Sequence, residues 1–258
     1  MSKFLSSLAA MLILAAAPAY AQNHSRLDEV VSRGTLRVGM TGDYLPFTFF
    51  DKETQKFRGF DVDMAEALGK ALGVKVDYVQ TAWPQLMSDF EADKFDIVMG
   101  GVSITLDRQK KGFFSTAIMR EGKTPIARCS DKDKYLTIAD IDRPGTRIIV
   151  NPGGTNERFV RANIKSAEIK VFGDNVAIFD EIAKGDADLM MTDASETRYQ
   201  QKLHPGVLCA IHPDKPFDFA EKAYWLQRDV ALKAFVDQWL HIAIENGSFG
   251  RIYAAWFE

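Results

Sequence analysis

The sequence predicts an α/β protein of two lobes, each a mostly parallel sheet flanked by helices, with a ligand cleft between them. Three observations carry that expectation. Short apolar runs of strand length alternate with stretches that are apolar at helical spacing, the pattern of parallel sheets covered on both faces. The chain, at 258 residues, is long for one ordinary domain and comfortable for two small ones. One design also occurs twice: DFEADKFDIVMGGVS and EIAKGDADLMMTDAS each pass from a helix end through a charged turn with Asp into an apolar strand and a small polar loop. Ligands of such sheets bind beyond the carboxyl ends of the strands, so two facing loops make a cleft that closes by hinge motion.

The first residues read as an export signal. Lys3 gives the positive start, Leu5 to Ala17 is apolar but too short to span a bilayer, and Ala19-Tyr20-Ala21 has the small-x-small form that signal peptidase cuts. The expected division is a signal peptide over 1–21, a first lobe from 22–124 and 221–258, and a second lobe over 125–220, in a soluble protein of the bacterial periplasm. No later stretch is long and apolar enough for a membrane helix, so no stable membrane association is expected. Lys and Arg number 32 against 35 Asp and Glu, a net charge of -3. The cations are scattered, without aromatic-basic interleaving, which argues against nucleic acid as a partner. Oligomeric state has no signal in the sequence.

In chain order, Thr35 to Met40 is an apolar strand ending in TGDYLPF, where Gly42 and Pro46 break regular structure and leave Asp43 and Tyr44 on a loop. Lys52 to Arg58 is hairpin-like. Phe60 to Leu72 is a helix with Val62, Ala65, Leu68 and Leu72 on one face. Val74 to Val79 is a strand, Trp83 to Phe90 a short helix with Pro84 in its first turn, and Phe95 to Met99 a buried strand. Glu121 to Ala127 is extended and leaves the first lobe. Then follow a helical turn at Ile138 to Asp142, strands at Arg147 to Val150, Ile169 to Phe172 and Ala187 to Met191, and helices at Asn175 to Ala183 and Ser195 to Lys202. Tyr224 to Gln227 is a strand crossing back, Val230 to Glu245 an amphipathic helix, and Phe249 to Phe257 a terminal one.

Two stretches carry candidate chemistry. In GGVSITLDRQKKGFFS, Gly100 to Ser115, two glycines permit a tight turn, Ser103 and Thr105 offer hydroxyls, and Arg108 offers a planar fork suited to a carboxylate. The stretch is a place to hold a small organic acid, or else a loop with a surface arginine. In NPGGTNERFVRANI a glycine turn opens a helix that Thr155 or Asn156 would cap, with free N–H groups that make an anion site. Cys129 and Cys209 are an isolated pair, which joins in an oxidising compartment. Their loop of roughly eighty residues is worth about 4 kcal/mol on the chain-entropy account. His24, His204, His212 and His241 lack ligand spacing, so no metal is expected. Met190 and Met191 read as core.

TGDYLPF, GFDVDMAEAL, GGVSITLDRQKKGFFS and the terminal helical segments resemble the periplasmic amino-acid-binding proteins of the type II solute-binding fold, over almost the whole mature chain. That resemblance implies that Arg108 grips a ligand carboxylate, Tyr44 stacks on the ligand and Asp193 holds an ammonium group. GDYLPF, GFDVDMA, AWPQLM, EGKTPIA, NPGGTNE, ADLMMTDA and HPDKPFDFAEKAY together are similar to a narrower family, the periplasmic cyclohexadienyl dehydratases. The departures, Ala82 before Trp83 and Ser195 after Ala194, remove no group with obvious chemistry. The likeness implies conversion of prephenate to phenylpyruvate, or of arogenate to phenylalanine, with loss of water and carbon dioxide. A non-catalytic receptor of an ABC transporter is the alternative; it shares fold, compartment and Arg108, and Glu196 together with NPGGTNE separates the two.

The reaction needs a proton donor for the leaving hydroxyl. It is strongly downhill, because the ring becomes aromatic, so no metal, redox cofactor or covalent intermediate is expected. Glu196 is the candidate acid from the resemblance, protonated by burial in a closed cleft; the competing reading is a glutamate in a helix's first turn. Arg108 with Ser103 is expected to anchor one carboxylate, Thr155 and Asn156 to meet the other, and Asn151 to bond the ring carboxylate or hydroxyl. Lys123 adds positive charge or is a solvated hinge lysine. Trp83 and Tyr44 wall the ring or are core. Asp43 orients Glu196 or the leaving hydroxyl, or forms a turn. Asp193 facing a dianionic keto acid is repulsive unless paired or protonated, and suits the amino group of arogenate, which points to use of both substrates.

Overall fold

The computed structural model describes residues 25–258; the expected signal peptide lies outside them. Two five-stranded sheets organise the chain. The first runs Lys75–Gln80, Thr35–Met40, Ile97–Val98, Trp225–Leu226, Phe113–Phe114, and the second Glu168–Val171, Arg147–Val150, Leu189–Asp193, Lys123–Arg128, Leu208–Ala210. In each, the first three strands are parallel and the fourth is antiparallel to the third. The antiparallel member is in both cases the strand that arrives from the other lobe, entering from the hinge side. Each sheet separates two apolar clusters: Leu36, Leu68 and Leu240 on one face of the first and Phe90, Phe95 and Trp225 on the other, with Met191 and Met190 dividing between the faces of the second.

The repeated design has a structural cause. The aspartates of the two charged turns, Asp96 and Asp188, each accept a backbone N–H and a guanidinium from an arginine on the second strand of the sheet, next to the strand that the turn leads into. Asp96 takes Arg37 N at 2.9 Å and Nη2 at 2.8 Å; Asp188 takes Arg147 N at 2.8 Å and Nη2 at 2.7 Å. The pairing fixes where the third strand of each sheet begins, and hence where its polar loop emerges.

Several elements differ from expectation at their ends. The helix Phe60–Leu72 forms over its full expected span and stops at Gly73, whose φ of 70° favours glycine. The strand expected over Phe95 to Met99 contracts to Ile97–Val98, and the helix expected from Trp83 starts only at Leu86, because residues 83–85 form a turn. The helix expected from Asn175 begins at Ile178. Thr155 and Asn156 do not cap their helix: Gly154 is the N-cap, and both side chains face a buried lysine instead. The helix Arg26–Arg33 was not expected; it is opened by a capping box between Ser25 and Asp28. Nor was the strand Ala220–Lys222, which pairs antiparallel with Met119–Glu121 to form the connection between the sheets. Lys123 and Thr124, expected in the first lobe, already pair in the second sheet, with Asp193 and Thr192. Among the described residues no helix is long and apolar enough to cross a membrane.

Cys129 and Cys209 are joined, with sulfurs 2.06 Å apart, across a sequence separation of 80. The bond ties the end of the strand Lys123–Arg128 to the neighbouring strand Leu208–Ala210. Replacing both cysteines by serine is expected to lower unfolding free energy by about 4 kcal/mol, read from denaturant midpoints of the oxidised protein and the variant.

Candidate active site

Both repeats deliver their polar loops to one narrow cavity between the lobes, of about 10 Å³. Tyr44, Trp83, Gly101 and Ser103 line it from one side, Asn151, Gly154, Thr155, Asn156, Asn175 and Asp193 from the other, and Lys222 from the connecting strand. The lobes meet here: Tyr44 Oη donates to Asp193, Asn175 Nδ2 donates to Asp43 O at 2.9 Å, and Gly153 packs so tightly on Pro84 that a Cβ would lie 2.6 Å from its Cα.

Glycine is required at the first loop. Gly100 and Gly101 have φ of 147° and 66°. A Cβ on Gly101 would come within 2.5 Å of the Tyr44 ring. The turn is held by Asp61, whose Oδ2 accepts the Gly101 N–H at 2.7 Å; burial pushes this carboxyl up to about 7. Tyr44 stands edge-on to Trp83 with ring centroids 5.6 Å apart, and Trp83 Nε1 donates to Asp43 Oδ1 at 3.0 Å. Asp43 therefore orients the indole from behind the wall rather than lining the cavity.

The charged centre is Asp193. Lys123 Nζ donates to its Oδ1 at 2.6 Å, and Lys222 Nζ to its Oδ2 at 2.5 Å. Burial alone would raise this carboxyl; the two lysines outweigh it and hold it well below the usual carboxylate range. Burial lowers Lys123, whereas Lys222, facing Asp193 and Glu121, is raised. Lys123 is 2 % exposed, so the solvated hinge lysine is corrected to a buried member of the site. Because the lysines draw Asp193 inward, it does not cap the helix Ala194–Leu203 that follows it. Glu121 does so, its Oε2 accepting Ser195 N at 2.9 Å.

Glu196 is 1 % exposed, one hydrogen bond behind the wall. Thr192 Oγ1 donates to its Oε2 at 2.5 Å and accepts from Asn156 Nδ2 at 3.0 Å; Asn156 Nδ2 also reaches Asn151 Oδ1 at 3.2 Å. The other oxygen, Oε1, has no hydrogen-bond partner among the described residues. Burial pushes Glu196 up to about 8, the charges of Asp193 and Asp43 adding to it and Lys123 opposing. A carboxyl with that affinity for its proton is a neutral acid at pH 7.

Arg108 is the clearest displacement from expectation. It neither sits on the surface nor lines the cavity: it is buried, and Nη1 donates to Ser103 O at 2.8 Å. No carboxylate pairs with it among the described residues. Burial lowers it to about 10, with the charge of Arg158 adding and Asp193 opposing, so it remains a cation. Lys222 carried no role in the sequence reading although it stands inside HPDKPFDFAEKAY; its signal was a lysine set among apolar residues just before a buried strand. Asn175 had no signal beyond its place at the start of an expected helix, and it stands in a turn instead. Three buried cations, Lys123, Lys222 and Arg108, outnumber the two buried carboxylates beside them, Asp193 and Glu121, and make this a site for anions.

Residues 36–258 match the family model of the bacterial extracellular solute-binding proteins, family 3. Over 252 residues the chain is 54% identical to a cyclohexadienyl dehydratase of Pseudomonas aeruginosa, spanning 98% of this chain and 93% of that protein. It is 27% identical over 231 residues to a probable amino-acid ABC transporter-binding protein of Haemophilus influenzae, spanning 89% and 87%. Among solved structures, an ancestral amino acid-binding protein described as a precursor of cyclohexadienyl dehydratase superposes with a TM-score of 0.83 at 36% identity, covering 91% of this chain and 100% of that one. An ancestral cyclohexadienyl dehydratase superposes at 0.56 with 50% identity, covering 90% and 96%. These neighbours share the two-lobed type II periplasmic-binding-protein fold. The family match takes in both sheets, the strands that connect them and every residue that lines the cavity; the chain belongs to the bacterial extracellular solute-binding proteins, family 3.

Proposed function

We propose that the chain is a dehydratase that converts prephenate to phenylpyruvate, and arogenate to phenylalanine by the same chemistry, in an exported protein whose first 21 residues are its signal peptide. The observation that carries the reading is Glu196: a carboxyl kept neutral by burial, beside a cavity lined by Lys222, with Lys123 and Arg108 buried behind its walls. A receptor for amino acids has no need of a buried proton donor, and the 54% identity to a cyclohexadienyl dehydratase favours the enzyme.

The cations supply what a dianion requires. Arg108 and the two lysines give the two carboxylates a positive surrounding of low dielectric, where attraction is stronger than in water. Asn151, Thr155 and Asn156 offer neutral hydrogen bonds, and Trp83 and Tyr44 flank the ring. Seating the ring makes the Asn156–Thr192 contact yield and brings the ring hydroxyl to Oε1 of Glu196. The Glu196 proton passes to that hydroxyl and the C–O bond breaks to release water. The bond from the ring to its carboxylate breaks to release carbon dioxide, and its electron pair completes the aromatic ring. Glu196, left as carboxylate, regains a proton from solvent when the lobes part.

The test is direct. Purified protein mixed with prephenate should generate phenylpyruvate, followed by its absorbance in alkali. No product, together with tight calorimetric binding of an amino acid, would replace this reading with the receptor.

A further inference from the structure

Every side-chain oxygen in the cavity wall but one already takes a hydrogen bond from the protein. Lys222 donates to Tyr44 Oη, Ser103 Oγ and Asp193. Lys123 donates to Thr155 Oγ1, Asn156 Oδ1 and Asp193, and Asn156 Nδ2 donates to Asn151 Oδ1. Asn175 is the exception. It is 3 % exposed, and its Oδ1 has no donor among the described residues. The orientation of its amide is fixed from the other lobe: Nδ2 donates to Asp43 O at 2.9 Å, and a carbonyl accepts only from a donor, so the oxygen is the end left over. Asn175 stands between the narrow cavity and an open groove of about 580 Å³ that the lobes also share. An oxygen turned to that groove would be wet. Oδ1 is closed off from solvent, so it faces the cavity. A buried acceptor left unpaired is costly, and a ligand that brings it a hydrogen relieves that cost.

We infer that Asn175 is a further substrate-binding residue, whose Oδ1 accepts the hydrogen of the substrate's ring hydroxyl and so aims the lone pairs of that hydroxyl at Glu196. The inference deepens the dehydratase reading and takes the identity of the ligand from it. Dianionic prephenate has a single O–H, on the ring; its other oxygens only accept. That hydroxyl stands across the ring from the carbon that bears the carboxylate. The two sides of the cavity match this division: Lys123 and Lys222 gather round Asp193, while Asn175 holds Asp43, whose charge bears on Glu196. To leave as water, the hydroxyl has to receive the Glu196 proton through a lone pair while its own hydrogen points elsewhere. With that hydrogen on Asn175 Oδ1, a lone pair is free to face Oε1 of Glu196. The proton passes from Glu196 to the oxygen, the C–O electron pair departs with the water, and Asn175 gains and loses nothing. Arogenate carries the same ring hydroxyl, so the contact serves both substrates.

Binding separates this role from the contact of the amide with Asp43. Prephenate, and its analogue with hydrogen in place of the ring hydroxyl, are titrated calorimetrically into Glu196→Gln and into Asn175→Leu/Glu196→Gln. Losing the contact between the lobes weakens both ligands alike; losing the acceptor weakens prephenate alone. The preference for prephenate over the analogue should therefore fall by about fivefold in the double variant, the scale of one neutral hydrogen bond. With Glu196 intact, Asn175→Leu should lower kcat for prephenate by about tenfold to a hundredfold, because the hydroxyl is no longer aimed at the acid. Asn175→Ala replaces the leucine variant if thermal melts show that the latter does not fold. An unchanged preference, or a kcat near that of wild type, in a folded variant overturns the inference. If wild type makes no phenylpyruvate, the dehydratase reading fails by itself, and the calorimetric preference decides this one: a fall supports it, and no fall, or no binding of prephenate at all, overturns it.

Discussion

Glu196→Gln should lower kcat for prephenate by roughly a hundred- to ten-thousand-fold, the range that general acid catalysis contributes, while calorimetric affinity for prephenate changes little. The amide keeps the size of the side chain and can still accept from Thr192, but it has no acidic proton to give. The pH profile supplies a second reading. Glu196 titrates at about 8, so kcat should be level through neutrality and fall tenfold per pH unit above about 8 as the acid ionises. The Thr192 hydrogen bond favours the carboxylate form, so Thr192→Val should move that alkaline limb to higher pH. The same group leaves a mark on stability. Its folded pKa lies above its unfolded value of about 4.3, so the folded state holds a proton that the unfolded state has lost. Stability is fully present below the unfolded value and is lost as pH rises to about 8. Glu196→Gln should flatten that slope, leaving the shallower one from Asp61, which is pushed up to about 7, and from Glu121 and Asp43, which burial also raises. A variant with near-normal turnover would remove Glu196 from the role of acid.

Residues whose task is local were easiest to see in the sequence. The helix Phe60–Leu72 shows its apolar spacing and its terminal glycine, which depend on neighbours within a few positions, and the Asp-turn-strand design marks both third strands because it occurs twice, although the arginines that hold it, Arg37 and Arg147, lie far along the chain. The disulfide was legible because only two cysteines exist and export makes their pairing expected. What sequence spacing could not carry was direction and distant pairing. Arg108 has a ligand-facing look in GGVSITLDRQKKGFFS, yet the short helix Leu106–Gln109 turns it inward, and its hydrogen bond goes to a carbonyl of its own loop. Thr155 and Asn156 look like caps because they stand after two glycines; a lysine from a strand more than thirty residues earlier claims their oxygens. Lys222 was missed because its partners, Tyr44, Ser103 and Asp193, come from three separate parts of the chain that only folding brings together.

Asp193→Asn is the substitution with the largest expected effect on stability. The carboxylate is the direct counter-charge of two buried ammonium groups, and removing one member of such a cluster leaves the others charged, desolvated and underpaired. Breaking a buried pair from one side costs about 3–5 kcal/mol, which for a chain of this size lowers Tm by roughly 10 °C or more. The sign with pH follows from the groups involved. In wild type the Asp193 carboxyl is held well below its unfolded value, so its contribution is present above the unfolded value of about 3.9 and lost as pH falls toward the folded one. The variant should lack that acid limb and instead gain stability as pH rises toward the alkaline range, where the stranded lysines shed protons more readily than in the unfolded chain. Negative charge supplied from outside should make up for the loss. In an Asp193→Asn/Glu196→Gln double variant, which cannot consume its ligand, prephenate should raise Tm by more than it does in Glu196→Gln alone, because the dianion then neutralises cations that have lost their shared carboxylate. Equal shifts in the two backgrounds would mean that the ligand's carboxylates do not reach the two lysines, and that the positive charge of the site acts on the substrate through Arg108 alone.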